Sequence, residues 1–200
     1  LGAADSAQRV RLLDAAEHLM IEHGYAAVTT RRVAAEAELN PQLVHYYFRS
    51  IDQLLLDVFR RRAENGLEIF AQLLQQDLSL KTLWEFGLNE PVAKFNIEFT
   101  ALANHNKSIR SEIVRYAERY QQIQLAAVTQ ILERRGITAE VCPPIVALLA
   151  ITGVSQTLML AESVGLTAGH EEAIAFIEHF LDDHDGAPTA QQPPRGIHHS

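Results

Sequence analysis

The chain has 200 residues, 48% of them hydrophobic and 21% charged, with a formal net charge of −8; this is globular composition, enough for one good core or two small ones, and the acid surplus argues against indiscriminate attachment to nucleic acid. One cysteine, Cys142, excludes an intrachain disulfide framework and a cysteine zinc site, which makes a reducing cytoplasm the expected compartment. Charge is unevenly spread: residues 1–62 carry eight Arg and eight Asp or Glu, whereas the remainder carries nine Lys or Arg and seventeen acids.

Leu1 to Ser6 has neither a basic n-region nor an apolar h-region, so no secretory signal is expected. From Gln8 to His23, Leu12, Leu13, Ala16, Leu19 and Met20 recur at helical spacing and predict a first helix with one apolar face. Gly24 follows its last apolar turn, where a left-handed terminus favours glycine. Thr29 is placed to cap a short helix through Ala37. Glu38-Leu39 makes a turn. Asn40-Pro41 then reads as an N-cap followed by proline in the first helical position, and opens a second short helix from Gln42 to Tyr47. Phe48-Arg49-Ser50 breaks it, and a long helix is expected from about Ile51 to Gln76, with Gly66 as its weak point.

The remainder reads as helical throughout. Ser79 caps a helix through Phe86. Pro91 opens one to about Ala103, and Asn106 or Ser108 caps a long one ending near Arg135-Gly136. Pro143-Pro144 opens an apolar helix to Ser163, and His170 to Leu181 is the last. No alternating β-branched run suggests a strand. The expected fold class is therefore all-α: an N-terminal three-helix helix-turn-helix head over 1–50, a C-terminal helical ligand-binding and dimerisation domain over 51–182, and a disordered tail over 183–200, rich in Pro, Gly, Gln and His. The most apolar stretch, Ile145 to Ala161, is just short of a membrane span and holds Thr152, Ser155, Gln156 and Thr157, so a buried helix is expected there and no membrane partner.

Two short helices joined by a turn of about three to four residues, behind a longer one, are the parts of a helix-turn-helix. The second short helix must pack on the head with one face and enter the major groove with the other. Val44, Tyr47 and Phe48 form an apolar face. Gln42, His45 and Tyr46 share the same spacing on the opposite side, with Pro41 and Leu43 at the N-terminal end. Gln42 can pair bidentately with an adenine edge, Pro41 and Leu43 can rest on thymine methyls, and His45 and Tyr46 can reach phosphates. Thr29, Thr30 and Arg31, at the start of the preceding helix, can reach the DNA backbone.

From Arg9 to about Leu56 the chain resembles the TetR family of repressors. The resemblance rests on the spacing of Leu12-Leu13-Asp14-Ala15-Ala16, His23-Gly24-Tyr25, Thr29-Thr30-Arg31-Arg32-Val33-Ala34, Leu43-Val44-His45-Tyr46-Tyr47-Phe48 and Asp52-Gln53-Leu54-Leu55. It implies that Thr29 caps the second helix, that Arg31 contacts DNA, and that Gln42, Leu43, His45 and Tyr46 touch bases or phosphates. Two positions depart from the family pattern. Glu38 stands where glycine is usual, which would cost up to ~1–2 kcal/mol if the backbone is left-handed. Ile51 stands where a lysine is common, which removes one expected phosphate contact and about one unit of salt slope.

In the body, Ile145 to Ala161 is apolar nearly all round and needs two apolar neighbours. The last helix is also broadly apolar. Ile151, Val154, Leu158, Ile174, Ile177, Phe180 and Leu181 are the expected homodimer interface, two helices from each protomer forming a four-helix contact. The middle helices are unusually aromatic. Phe70, Trp84, Phe95, Phe99, Tyr116 and Tyr120, with Asn104 and His105 as polar fixtures, are the expected lining of a small-molecule effector pocket. The family resemblance implies that such an effector alters the separation of the two heads and releases a double-stranded operator.

Enzymatic signatures are absent: there is no Gly-rich phosphate loop, no His-Glu-x-x-His and no Gly-x-Ser-x-Gly, and no histidine has a glutamate three residues before it. No cofactor or metal is expected. The alternative is a helical dimeric ligand-binding or protein-docking module whose head does not read DNA specifically.

Overall fold

The computed structural model describes residues 3–185, with side chains over 7–182. Nine α-helices and one 3₁₀ turn make up the regular structure among these residues: α1 (Ala3–His23), the turn Tyr25–Ala27, α2 (Thr30–Glu36), α3 (Pro41–Tyr47), α4 (Ile51–Gln76), α5 (Leu80–Gly87), α6 (Glu90–Ala103), α7 (Lys107–Arg134), α8 (Pro144–Ser163) and α9 (His170–Asp185). The last helix continues to Asp185, past the Leu181 expected for it. The remainder of the expected tail lies outside the described residues.

Short polar side chains decide where most of these helices begin. Thr29 Oγ1 accepts from the Arg32 N–H at 3.3 Å, Asn40 Oδ1 from Gln42 at 2.9 Å, Ser50 Oγ from Gln53 at 3.1 Å and Ser79 Oγ from Thr82 at 3.1 Å. Asn89 Oδ1 caps α6 through the Val92 N–H, so that helix opens one residue before Pro91; Asn106, not Ser108, caps α7. Each bond satisfies a donor that the helix itself leaves free, worth typically ~1 kcal/mol.

Two apolar cores are strung along the 26-residue α4. The first joins Leu12, Leu19, Val33, Val44 and Phe48 of the head to Leu54, Leu55, Val58 and Phe59 of α4, and continues into Phe95, Phe99, Ile109 and Tyr116. It crosses residue 50 without a break. The second gathers Phe70, Leu83, Trp84, Val128, Ile131, Leu148, Leu158 and Leu181. Tyr120 and Ile123 pack against both. In the second core α5 and α8 approach so closely that a Cβ on Gly87 would stand 2.3 Å from Ser155 Oγ; only glycine fits there.

The turn between α2 and α3 carries a local cost. Glu38 has φ 52°, the one positive φ among described non-glycine residues. Its carboxylate meets Arg11 only at 3.8 Å and in solvent, a contact of little worth. Glu38→Gly is therefore expected to stabilise the protein by ~1 kcal/mol, read as a higher urea midpoint at unchanged m; an unchanged or lower midpoint would contradict strain at this turn.

Candidate nucleic-acid interface and body site

The α3 helix divides as its sequence pattern demands. Val44 and Phe48 are buried, Leu43 and Tyr47 are half-buried, and Pro41, Gln42, His45 and Tyr46 are exposed. The exposure of Tyr46, 66%, is high for so large a ring. Its ring is steadied edge-on by Tyr47 at 4.9 Å, and the Tyr47 hydroxyl donates to Gln8 Oε1 at 3.2 Å. Of the preceding segment, Thr29 is exposed but occupied as a cap, Thr30 is half-buried and Arg31 is exposed. The structure thus presents the expected reading face to solvent on two capped helices that share the head's core.

Charge over residues 1–62 is segregated in a way its zero sum conceals. Five of the eight arginines within residues 1–62 are paired. Arg9 meets Asp57 at 2.7 Å, Arg60 meets Glu112 at 2.7 Å, Arg61 meets Asp14 at 2.6 Å and Glu17 at 2.9 Å, and Arg62 also meets Glu17. Arg11 lies near Glu38 and donates to the carbonyl of Ala37, closing the end of α2. The other three, Arg31, Arg32 and Arg49, are exposed and form no ion pair among the described residues. Arg31 and Arg32 sit in the first turn of α2, and Arg49 directly follows α3. Asp14, Glu17 and Asp57 are thereby taken up between α1 and α4, while Arg31, Arg32 and Arg49 flank α3. Arg32 and Arg49 are additions to the expected set; their importance rests on what the other arginines pair with, which is mostly distant in sequence.

In the body the aromatic residues form two packed groups and not one chamber. Phe59, Phe95, Phe99 and Tyr116 make one, with Phe95 and Phe99 at 4.5 Å and Phe59 and Phe99 at 5.1 Å. Phe70, Phe86 and Tyr120 make the other, Phe70 lying 4.8 Å from Phe86 and 5.3 Å from Tyr120. The Tyr120 hydroxyl donates to the Gly66 carbonyl at 3.0 Å, and burial pushes its phenol up from the ordinary tyrosine range. Trp84 is fully buried beside this second group, and its indole N–H has no protein acceptor. Asn104 and His105 depart from expectation: α6 ends at Ala103, so both fall in the following turn and face solvent. A cleft of ≈340 Å³ opens between α7 and α8, lined by Val114, Gln121, Gln124, Leu149, Thr152 and Gln156, away from the two aromatic groups.

The α8 and α9 helices bear much exposed apolar surface. Leu158 and Leu181, expected between protomers, are buried within the protomer's own second core, and Ile151, Ile174 and Ile177 are half-buried against it. An all-round apolar helix has no phase in its sequence, which is why the inward residues could not be told from the outward ones. The outward apolar residues are Val146, Leu149, Val154 and Leu160 on α8, with Phe176 (70% exposed) and Phe180 on α9. Pro144–Ser163 is long and apolar enough to cross a membrane by composition alone. Among the described residues no three metal-ligating side chains come together.

Residues 12–58 match the family described as "Bacterial regulatory proteins, tetR family". That match covers the head and less than half of the chain. An uncharacterised helix-turn-helix transcriptional regulator of Xanthobacter autotrophicus is 28% identical over 126 residues, covering 58% of this chain and 62% of that curated relative, so the match spans less than two thirds of its length. Solved structures of similar fold cover the body as well. A TetR transcription regulator from Haloarcula marismortui superposes with a TM-score of 0.69 at 22% identity, covering 89% of this chain and 98% of its own. A proposed transcriptional regulator from Saccharomonospora viridis in complex with choline gives 0.71 at 21%, covering 87% and 97%. FadR from Bacillus subtilis, in complex with stearoyl-CoA, gives 0.62 at 15%, covering 90% and 99%.

If the head meets phosphate through Arg31 and Arg49, Arg31→Ala and Arg49→Ala should each weaken duplex binding and lower the slope of log K against log salt by about one. Arg61→Ala, which loses only acid partners within the protomer, should leave the slope unchanged. Equal slopes for all three variants would contradict the segregation.

Proposed function

We propose that this protein is a ligand-responsive, sequence-specific DNA-binding repressor, acting as a cytoplasmic homodimer on a palindromic operator and released by a small, largely apolar effector; it is a regulator and not an enzyme. The observation that carries the reading is the conjunction on the head: Gln42, His45 and Tyr46 exposed on α3, bracketed by three arginines with no internal partner. One short helix reads too few bases for specificity. Two heads related by a two-fold axis read half-sites about one helical turn, ~34–36 Å, or a multiple apart. The exposed apolar residues of α8 and α9 support such a pairing, as a continuous apolar surface on a protomer marks an interaction site.

Residues 1–50 are the reading unit and 51–182 the sensing and pairing unit, joined by the shared core on α4. The effector reading is supported by the two aromatic groups of the body and by the orphaned Trp84 N–H, a buried donor that an acceptor atom of a ligand would satisfy. Similar folds hold choline in one protein and stearoyl-CoA in another, ligands of very different size. Release requires the effector to bind one head spacing more tightly than the other; tight binding alone shifts nothing.

Capture of genomic fragments by the purified protein at ~150 mM salt, where purely electrostatic binding is suppressed, is expected to recover a short palindrome. Gln42→Ala and Tyr46→Ala should each lose operator binding, the first by about 1–3 kcal/mol if its amide reads a base edge, while both variants still sediment as dimers. No enrichment from effector-free protein, or unchanged binding by both variants, would overturn the reading and leave a helical dimer whose head does not read DNA.

A further inference from the structure

The turn that joins α1 to the reading helices is held by the body. The backbone N–H of Tyr25 donates to Oε2 of Glu98 on α6 at 2.7 Å, a bond across 73 residues of sequence. Glu98 is half-buried and flanked along α6 by Phe95 and Phe99, both buried in the aromatic group with Phe59 and Tyr116. Its carboxylate is thereby anchored to packed interior. On the head side the approach needs Gly24: its φ is 78°, and a Cβ there would stand 3.3 Å from Glu98 Oε2. The Gly24 N–H closes α1 on the Met20 carbonyl at 2.9 Å, the Val28 N–H returns to Tyr25 at 3.1 Å, and Thr29, the cap of α2, follows at once.

Other contacts between head and body are of different kinds. Apolar packing of α6 on α1 is non-directional and tolerates sliding. The ion pairs of Arg9, Arg61 and Arg62 run between long side chains of α1 and α4 and hold α1, not the turn. A backbone N–H donating to a carboxylate is directional and about twice as strong as a neutral hydrogen bond.

We infer that Glu98 is a positioning residue that fixes the turn 24–28, and with it α2 and α3, against the body. A rearrangement of the Phe59–Phe95–Phe99–Tyr116 group then reaches the DNA face through this directional carboxylate contact in addition to the shared apolar core. The consequence at the operator rests on the DNA-binding reading above; the latch itself does not.

The test compares full-length wild type, Glu98→Ala and Glu98→Gln by amide hydrogen exchange, thermal melting and binding to the captured operator. In Glu98→Ala, exchange from Tyr25 to Val28 should rise about tenfold or more while α7 and α8 keep their protection. Operator affinity should fall about tenfold with the salt slope unchanged, since no phosphate contact is lost. Glu98→Gln retains an acceptor oxygen and should recover most of both. Unchanged exchange at Tyr25 overturns the latch; so does a loss of protection spread over the whole chain with a lowered melting temperature, which marks general destabilisation. Raised local exchange with unchanged operator affinity overturns the positioning role. If wild type captures no operator, the DNA-binding reading fails separately, and exchange alone decides the latch.

Discussion

Everything in this molecule hangs on α4 having to complete two cores at once. Its first turns supply Leu54, Leu55 and Val58 to the head, and its later turns supply Phe70 to the far end of the body. A chain this short gains stability by not dividing its apolar surface into isolated parts. Between those stretches, Arg60, Arg61 and Arg62 face three ways, to Glu112 on α7 and to Asp14 and Glu17 on α1. The Glu112 carboxyl is held below the usual carboxylate range by its bonds from Arg60 and Arg115, and that of Glu64 by Arg119 and Tyr116. Both lend stability that is complete above their unfolded pKa and is lost as pH falls through the depressed folded value. These exposed pairs add little energy singly; they fix the angle at which head, α4 and α7 meet.

The same ion pairs bear on function. Every acid that α1 and α4 use to hold an arginine is an acid withdrawn from competition with phosphate. Residues 1–62, of zero net charge, can therefore present three guanidinium groups beside α3 that form no ion pair among the described residues, while an acidic body discourages binding elsewhere on the surface. Under the proposed function, such a distribution favours specific reading over indiscriminate attachment, because weak long-range attraction leaves the affinity to local contacts.

Much of the architecture was legible because helix ends are written in single residues: Thr29, Asn40-Pro41, Ser79 and Asn106 mark them chemically, and the structure begins helices where they say. Glu38 was legible as a site of strain through the family resemblance, which puts glycine in that turn, and its φ of 52° bears this out. The 3₁₀ turn Tyr25–Ala27 was not, being too short for periodicity and held from outside by Glu98. Asn104 and His105 face solvent although the helix end at Ala103 was legible, because residue type alone does not orient a side chain in a turn. Leu158 and Leu181 point inward for a different reason: an all-apolar helix carries no phase, so only its packing on α5 and α7 tells inside from outside. Charge segregation was illegible in principle, since it depends on pairings between distant helices.

The most direct test of this account is amide exchange of the intact protein with and without a captured duplex at ~150 mM salt, where contacts rather than long-range attraction dominate. The account predicts new protection confined to residues 29–49, covering the start of α2, α3 and the Arg49 segment, with α8 unaffected. Protection centred on α7 and α8, or none in the head, would contradict it.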